Sequence, residues 1–545
     1  MNKRALGWIC RHGKGSFLII ALMTVLGSVL SLISIAFVSV SKTLVDIATG
    51  FQTGKMFETA AYLAALLILR LLIQITINFM NVHASSRLEI ALKRHIFKQI
   101  INKDYLSVVK IHSGELLNRL NSDVSVIVNG LITILPSAAI FVTSIIGAFI
   151  YLFTIDKILA LIILCVGPMV GIGARLYSRK YKLLHKECQQ ADGKTKSFML
   201  EIIQNLLVVK SFNNENAVLD RSETLQRDSY KLRIKRTKIS VVAHVGMFLI
   251  FNAGYYFAFA YGAYRISAGA LNFGEFTAIL QLVNQIQTPF KDISSLIPQF
   301  FSMIASTERL LEIEDITPEP EVKMTDVSLY NDMEEIVFDN VRFSYSADSV
   351  VSGINMRIKK GECVVIGGES GAGKSTSIKL LLGILTPSDG DIYIKTTHGK
   401  IQIGKQTRPM FSYVPQGNLI LSGTIRENIA FACGSASEED IIKSAKIAQI
   451  WDFIESLDEG LDTVIGEKGL GLSEGQAQRI SIARAILYDA PVLLLDESTS
   501  ALDSHTESEL LKAIRHMTDK TCIIISHKQA AFDICDHAEY VTKKT

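Results

Sequence analysis

The chain has 545 residues, several times the ~100–200 of a single domain, so at least two domains are expected. Apolar residues make up 49% and charged residues 20%, with a mean hydropathy of +0.30, which excludes a disordered chain and argues against a wholly soluble one. Net charge is only +3, too small a basic excess for a nucleic-acid binder, and the seven cysteines include no CxxC pair, so neither a zinc site nor a disulfide framework is indicated.

Residues 1–16 are a basic segment: Trp8 with Lys3, Arg4, Arg11 and Lys14 reads as a short amphipathic elbow helix on the cytoplasmic membrane surface or, equally well, as a basic tail. Residues 17–305 form a membrane domain with six candidate spans, near 17–40, 59–82, 131–153, 157–174, 239–264 and 271–304. A helix crosses the hydrocarbon with about 20 apolar residues. The first run exceeds a signal-peptide core and no small-residue cleavage site follows it. Charge placement supports the count. The connections 83–130 and 175–238 carry seven and fifteen Lys/Arg, whereas 42–58, 154–157 and 265–275 carry two, one and one. By the positive-inside rule both termini are cytoplasmic, as in a multi-pass protein of the plasma or inner membrane. The two long basic connections read as helices continuing below the membrane, with tips that touch the soluble half; independent surface helices are the alternative.

Polar residues punctuate the spans. Arg70, Gln74 and Asn78 share one face of the second, Gln281, Asn284, Gln285, Thr288 and Asp292 recur along the sixth, and the fifth holds Asn252, Tyr255, Tyr256 and Tyr264. They read as the lining of a polar, aromatic substrate cavity or, with equal weight, as interhelical hydrogen bonds and a span boundary at the headgroups. His83, His95, His112 and His185 have no metal-ligand spacing and read as surface or interface residues. Residues 306–324 are an acidic linker closed by Pro318 and Pro320, and 325–545 read as a soluble α/β domain.

That domain opens on an apolar strand, Glu362–Ile366, followed by Gly368, Glu369, Ser370, Gly371, Ala372, Gly373, Lys374, Ser375 and Thr376. The glycines let successive backbone N–H groups turn inward around phosphates, the following helix adds its positive end, Lys374 brings a point charge, and Ser375 is a ligand for Mg²⁺. A second buried strand, Val492–Leu495, ends in Asp496 and Glu497: the first suits the metal, the second an attacking water.

Between these strands lie Ser473, Glu474, Gly475 and Gln476, and here the chain resembles the ATP-binding cassette family. Tyr345 is similar to the family's adenine-stacking aromatic, Gln416 to its Q-loop glutamine (a further Mg²⁺ contact), Thr463–Glu467 to the segment before the signature, Asp503 to the D-loop aspartate and His527 to the switch histidine. Ser113, Glu115, Arg119 and Asp123 resemble the family's membrane domain. The resemblance implies a six-helix transmembrane domain of the type 1 exporter fold fused to an α/β P-loop NTPase cassette, ATP and Mg²⁺ as cofactors, and an obligate dimer, with itself or with a second half-transporter. Each ATP would lie between one chain's phosphate loop and the other's signature. It further implies ATP-hydrolysing export of a lipid, peptide or hydrophobic small molecule by alternating access, from the cytoplasm or the inner leaflet of the membrane lipid. A nucleotide-gated regulator or channel is the alternative, against which Glu497 and His527 count. Two departures stand out. Glu474 occupies a position where the family usually has glycine; its carboxylate is favoured at a helix start, and the side chain is expected to point away from phosphate. The sequence also stops eighteen residues after His527, where family cassettes usually add a strand pair, which is expected to trim a sheet edge.

Overall fold

The structure is a computed structural model that describes residues 3–541 apart from 112, 346–348, 370, 418–419, 467–468, 470 and 518, and, within helices and strands, omits the side chains of 164–179, 182, 185, 243–244, 293–295 and 349. Two compact units divide the chain: Met1–Ile101 with His112–Asp315, and Asn102–Ile111 with Ile316–Thr545. The segment 17–305 read as one membrane domain is therefore interrupted, because the tip of its first long connection folds with the soluble half.

The first unit is helical. The elbow α1 (Lys3–Gly13) leads through a single 3-10 turn into α2 (Phe17–Ala48), and α3 (Met56–Ile101) follows. After α4 (Tyr105–Val109), which belongs to the second unit, come α5 (Ser113–Asn118), a π-helical turn at Arg119–Asp123, and α6 (Val124–Ile155). Next are α7 (Lys157–Gln204), α8 (Leu206–Ser211), α9 (Glu215–Ser267) and α10 (Phe273–Asp315). All six candidate spans lie on these long helices. Among the described residues, four stretches are long and apolar enough to cross a membrane: Lys3–Ala48, Met56–Ile101, Ser113–Ile155 and Glu215–Ser267. At 48 and 43 residues, α7 and α10 have the length as well, but part of α7 has no described side chains and α10 carries Lys291 and Asp292 in its middle. On α3, Leu67, Ile68, Leu71, Leu72 and Phe79 are exposed, which suits a helix whose solvent is lipid.

Packing explains why the helices run past the membrane. One core joins Trp8 and Ile9 of α1 to Leu88, Leu92 and Ile96 of α3, Val124 and Ile127 of α6, and Leu310 and Ile313 of α10. Those α3 residues recur every four positions, which lines one helix face. A second core joins Leu152, Leu159, Ile163, Ile279, Leu282 and Ile286. At Gly274 an added Cβ would sit 2.3 Å from Asp46 Oδ1, so only glycine lets α2 and α10 approach there, and the Gly274 N–H donates to that carboxylate at 3.1 Å. Where α6 begins, Asp123 is buried and accepts from Ser306 Oγ (2.9 Å) and Arg309 Nε (2.8 Å), while Arg119 donates to the Arg309 carbonyl (2.8 Å) and pairs with Glu115 and Glu312. The motif residues of the first connection thus fasten α6 to the end of α10.

The second unit starts with the connection tip. Asp104 caps α4 by accepting the Ser107 N–H, and two backbone bonds, Asp104 N–H to Thr317 O (3.0 Å) and Glu319 N–H to Asn102 O (2.9 Å), tie the tip to the linker. Leu106 packs on the core of this unit, which is the apolar face that holds the tip there. The short α11 (Leu329–Asp332) precedes β1 (Met333–Ser344), β2 (Ser349–Lys359), β3 (Cys363–Gly367), α12 (Lys374–Leu381), β4 (Asp389–Thr396), β5 (Gly399–Gln402) and β6 (Phe411–Val414). Then come β7 (Gly423–Thr424), α13 (Ile425–Ile429), α14 (Glu438–Ile447), α15 (Trp451–Glu455), β8 (Val464–Ile465), α16 (Glu474–Tyr488) and β9 (Val492–Asp496). The chain closes with α17 (Ser504–Arg515), β10 (Thr521–Ile525), α18 (Gln529–Ile534) and β11 (His537–Tyr540).

A five-stranded sheet of order β11-β3-β10-β9-β6 is parallel throughout. Its inner strands β3, β10 and β9 are buried at every position, as expected when both faces are covered. An antiparallel sheet of order β2-β1-β4-β5 packs through Ile336, Phe338 and Ile394 onto Val364, Ile366, Leu494 and Ile523 of the parallel sheet. In such open sheets, loops at the carboxyl ends of the strands form the ligand crevice. The phosphate loop follows β3, Glu497 follows β9, and His527 follows β10.

Candidate nucleotide site

The loop after β3 owes its course to glycine. Gly368, Gly371 and Gly373 have φ of 140°, 80° and 96°, the left-handed region that side chains disfavour. A Cβ at Gly368 would lie 2.3 Å from the Val541 carbonyl, and one at Gly373 would lie 2.9 Å from that of Val350. The loop is therefore pressed between strand β2 and the residue that follows β11, with no room for a side chain at Gly368 or Gly373. Lys374 opens α12 and is buried; its Nζ donates to the carbonyls of Gly368 (2.9 Å) and Glu369 (3.0 Å) and to His527 Nε2 (3.0 Å).

Next to it, Ser375 Oγ donates to Asp496 Oδ1 at 2.9 Å, and Tyr413 Oη donates to Asp496 Oδ2 at 3.3 Å. Asp496 is 1% exposed. Burial pushes its pKa up, and the two hydrogen bonds oppose that rise. The Tyr413 hydroxyl is held above its usual range by burial and the adjoining carboxylate, so it stays a donor. Glu497 has φ of 47°, unusual for a residue with a side chain, and its N–H is anchored to Ile525 O at 3.0 Å. This twist turns the carboxylate to the crevice, where Gln416 Nε2 donates to Oε2 at 2.6 Å and His527 Nε2 lies 3.6 Å from Oε1. Two side-chain sets therefore stand next to each other along the chain, Lys374–His527–Glu497–Gln416 and Ser375–Asp496–Tyr413, which form the network of the site. Tyr345 stands at its rim, stacked edge-on against Phe343 at 4.9 Å, with its hydroxyl 3.5 Å from Thr376 Oγ1. Ala372 is buried, and Ser370 lies outside the described residues, as does Glu467.

Ser473 and Gln476 do not join that network. Ser473 is the N-cap of α16, and the pair makes a reciprocal capping box: Gln476 N–H to Ser473 Oγ at 3.3 Å, Ser473 N–H to Gln476 Oε1 at 2.8 Å. Ser473 and Glu474 are exposed, and among the described residues no hydrogen bond runs from Ser473, Glu474, Gly475 or Gln476 to the phosphate loop. Gly475 approaches the Ala501 carbonyl so closely that a Cβ would sit at 3.0 Å. Asp503 caps α17 through the N–H groups of His505 and Thr506, which hold its carboxyl below the usual range.

Three residues that sequence reasoning passed over support this geometry. Buried Gln478 donates to Ser500 Oγ (3.1 Å) and accepts from the Ala501 N–H (3.2 Å), clamping the signature helix to the turn after Glu497. Lys528 Nζ donates to the carbonyls of Thr499 and Leu502. Tyr413 braces Asp496. The glutamine sits five residues after Ser473 on the same helix, a signal periodicity could have supplied; the other two are far in sequence from what they hold.

In the membrane unit, Arg70, Gln74 and Asn78 are exposed on α3 and Gln74 donates to Asn78 at 3.2 Å. Asn252 bonds the Phe248 carbonyl within α9. On α10, Asn284 is exposed, Gln281 and Gln285 are half-buried, and the Gln285 Oε1 and the Nε2 of buried Gln287 have no hydrogen-bond partner among the described residues.

Residues 18–290 match the family described as ABC transporter transmembrane region, and residues 351–500 match that described as ABC transporter. The chain is 33% identical to ABC transporter B family member 1 of Dictyostelium discoideum over 80% of its own length, and spans about half (48%) of that longer protein. It is 32% identical to an ATP-dependent lipid A-core flippase of Desulfotalea psychrophila over 76% of this chain and 73% of the flippase. Among solved structures, a bacterial Atm1-family ABC exporter with ATP bound superposes with a TM-score of 0.81 at 24% identity, covering 97% of this chain and 93% of that one, a likeness of fold.

Proposed function

This chain belongs to the ATP-binding cassette transporter family, with that family's membrane and cassette regions in one polypeptide, and we propose that it is an ATP-hydrolysing exporter half-transporter that works as a dimer. It is a multi-pass membrane protein whose nucleotide-binding unit lies in the cytoplasm. The observation that carries the dimer is the isolation of Ser473 and Glu474. They are exposed at the positive end of a 15-residue helix, already capped, and unlinked to the phosphate loop of their own chain. The exposure of this helix start and its lack of a link to the phosphate loop of the same chain support the reading that it meets phosphate from a second chain.

The residues fit the nucleotide and its metal. The loop glycines hold a backbone course that a Cβ at Gly368 or Gly373 would block, and Lys374 supplies positive charge to the phosphates. Ser375 and Asp496 are a hard oxygen pair already within 2.9 Å of each other, the donor type that Mg²⁺ takes, and Gln416 would complete the set. The ion, when bound, neutralises charge on the phosphates. Glu497 accepts from Gln416 and is positioned to draw a proton from attacking water, and His527 Nε2, which accepts from Lys374, stands 3.6 Å from that carboxylate. Tyr345 offers its ring to adenine.

The substrate is an amphipathic lipid, moved from the inner leaflet through a cavity lined by Arg70, Gln74, Asn78, Asn252, Gln281, Asn284 and Gln285 of both chains. The flippase relative and the exposure of Arg70 on an apolar helix support this reading. Mixing chains that carry Lys374→Ala with chains that carry Ser473→Ala tests the shared sites. A mixed dimer retains one intact loop–signature pair, so its ATPase exceeds that of either variant alone; a mixture no more active than the average of the two refutes the arrangement.

A further inference from the structure

Outside the nucleotide site, two imidazoles and a carboxylate converge where the elbow α1 meets α3 and the end of α10. One donor atom from each of His12, His95 and Glu314 falls within 4.8 Å of the other two, and all three side chains are half-buried. The His12 ring centroid lies 4.4 Å from that of His95 and 4.4 Å from that of Trp8. We propose that His12, His95 and Glu314 form a binding site for a transition-metal dication of the Zn²⁺ class, which fastens the membrane-surface helix to the helix that runs into the linker.

The surrounding groups support this choice. His12 Nδ1 lies 3.1 Å from the Trp8 carbonyl oxygen. A carbonyl can only accept, so Nδ1 carries the proton and Nε2 keeps a lone pair. A backbone carbonyl that fixes the tautomer in this way is the usual support of a metal-binding histidine. Glu314 Oε1 accepts from Trp8 Nε1 at 2.8 Å, which orients the carboxylate through a buried indole. His95 Nε2 lies 2.9 Å from the same oxygen. It donates a proton there in the metal-free state; ligation through Nε2 would move that proton to Nδ1, leaving the neutral ring that a metal takes. Two imidazole nitrogens and one carboxylate oxygen are a borderline donor set. They suit Zn²⁺, and Co²⁺ as its spectroscopic stand-in, over Mg²⁺ or Ca²⁺, and leave a fourth position for water. Next to the site Arg4 is already paired with Asp315, so its charge is partly neutralised.

The sequence hides this cluster: the ligands are 83 and 219 residues apart, with none of the short spacing that marks a zinc motif. Only the folding of α1 onto α3 and α10 assembles them. The full-length chain, purified without a histidine tag, in lipid and stripped of metal, is titrated with Co²⁺ and then Zn²⁺. The expected result is one ion per chain, visible d–d absorption of a four-coordinate nitrogen–oxygen site, bleaching by Zn²⁺, and affinity reduced at least ~10-fold in each of His12→Gln, His95→Gln and Glu314→Gln. Cys10→Ser, a neighbouring change on the same helix, leaves the titration unaltered. Nucleotide binding by each variant checks that it is folded. Absence of Co²⁺ and Zn²⁺ binding by the native chain, or equal binding by the folded variants, overturns the assignment.

Discussion

Lys374 and His527 share a hydrogen bond of 3.0 Å between Nζ and Nε2 across two adjacent parallel strands. An ammonium can only donate, so His527 Nε2 accepts and its proton resides on Nδ1. The imidazole therefore reports whether the phosphate loop is occupied: a γ-phosphate that engages Lys374 competes for the same donor. Replacing His527 with alanine lowers ATPase by about 10²-fold while leaving ATP affinity within a few-fold. Parallel measurement of turnover and of nucleotide binding checks this, and loss of both together would assign the histidine to binding.

Glu497 is the carboxylate at the strained turn, and Gln416 fixes its orientation. The Glu497→Gln chain keeps the shape and the hydrogen-bonding capacity but not the base. It is expected to bind ATP, to lose about 10²–10⁴-fold in hydrolysis, and to accumulate as a closed dimer. Retention of native turnover would remove Glu497 from the chemistry.

Gly373 has φ of 96° and no room for a Cβ beside the Val350 carbonyl. Gly373→Ala combines left-handed strain with a clash and destabilises the cassette by about 1–3 kcal/mol. A lowered denaturation midpoint with loss of nucleotide binding is the expected pair of results; unaltered stability would show that the loop tolerates another course.

Glu474 is exposed at the first position of α16, where the helix dipole favours a carboxylate. Glu474→Gly is expected to alter ATPase by less than about threefold while weakening the helix start by about 0.3–1 kcal/mol. A rise in turnover of ten-fold or more would mean that this carboxylate repels the partner's phosphate.

Asp123 is buried at the start of α6 and accepts from Ser306 and Arg309 of α10. Asp123→Ala removes the carboxylate that both groups share and costs about 1.5–3 kcal/mol, moderated because Arg309 keeps its bond to Ser306 Oγ (3.1 Å) and access to water. The thermal midpoint of the full chain in lipid reads this out, and a shift within error would mark the network as dispensable.

What was legible in the sequence is what short stretches dictate by themselves. The phosphate loop announces itself because only glycine meets its backbone demands, and β3 and β9 do so because a strand covered on both faces must be apolar throughout. The membrane spans follow from run length and lysine placement. The rest depends on distant partners. Leu106 carries no motif, yet it is half-buried against the cassette core, and residues 102–111 fold with that unit and not with the membrane unit. Tyr413 and Lys528 carry no motif, and their roles exist only once β6, β9 and β10 stand side by side. The polar residues of α3 and α10 lie at helical spacing, but spacing alone does not distinguish a cavity from a lipid face, and Gln287 was missed because its burial comes from neighbouring helices.

The central claim is that two chains, and not one, form the working ATPase. Turnover in lipid nanodiscs holding a single chain, compared with discs holding two, tests it most directly. Hydrolysis confined to the two-chain discs is the expected result, with single-chain discs binding ATP through the phosphate loop but failing to cleave it. Equal turnover per chain in both preparations would contradict the account.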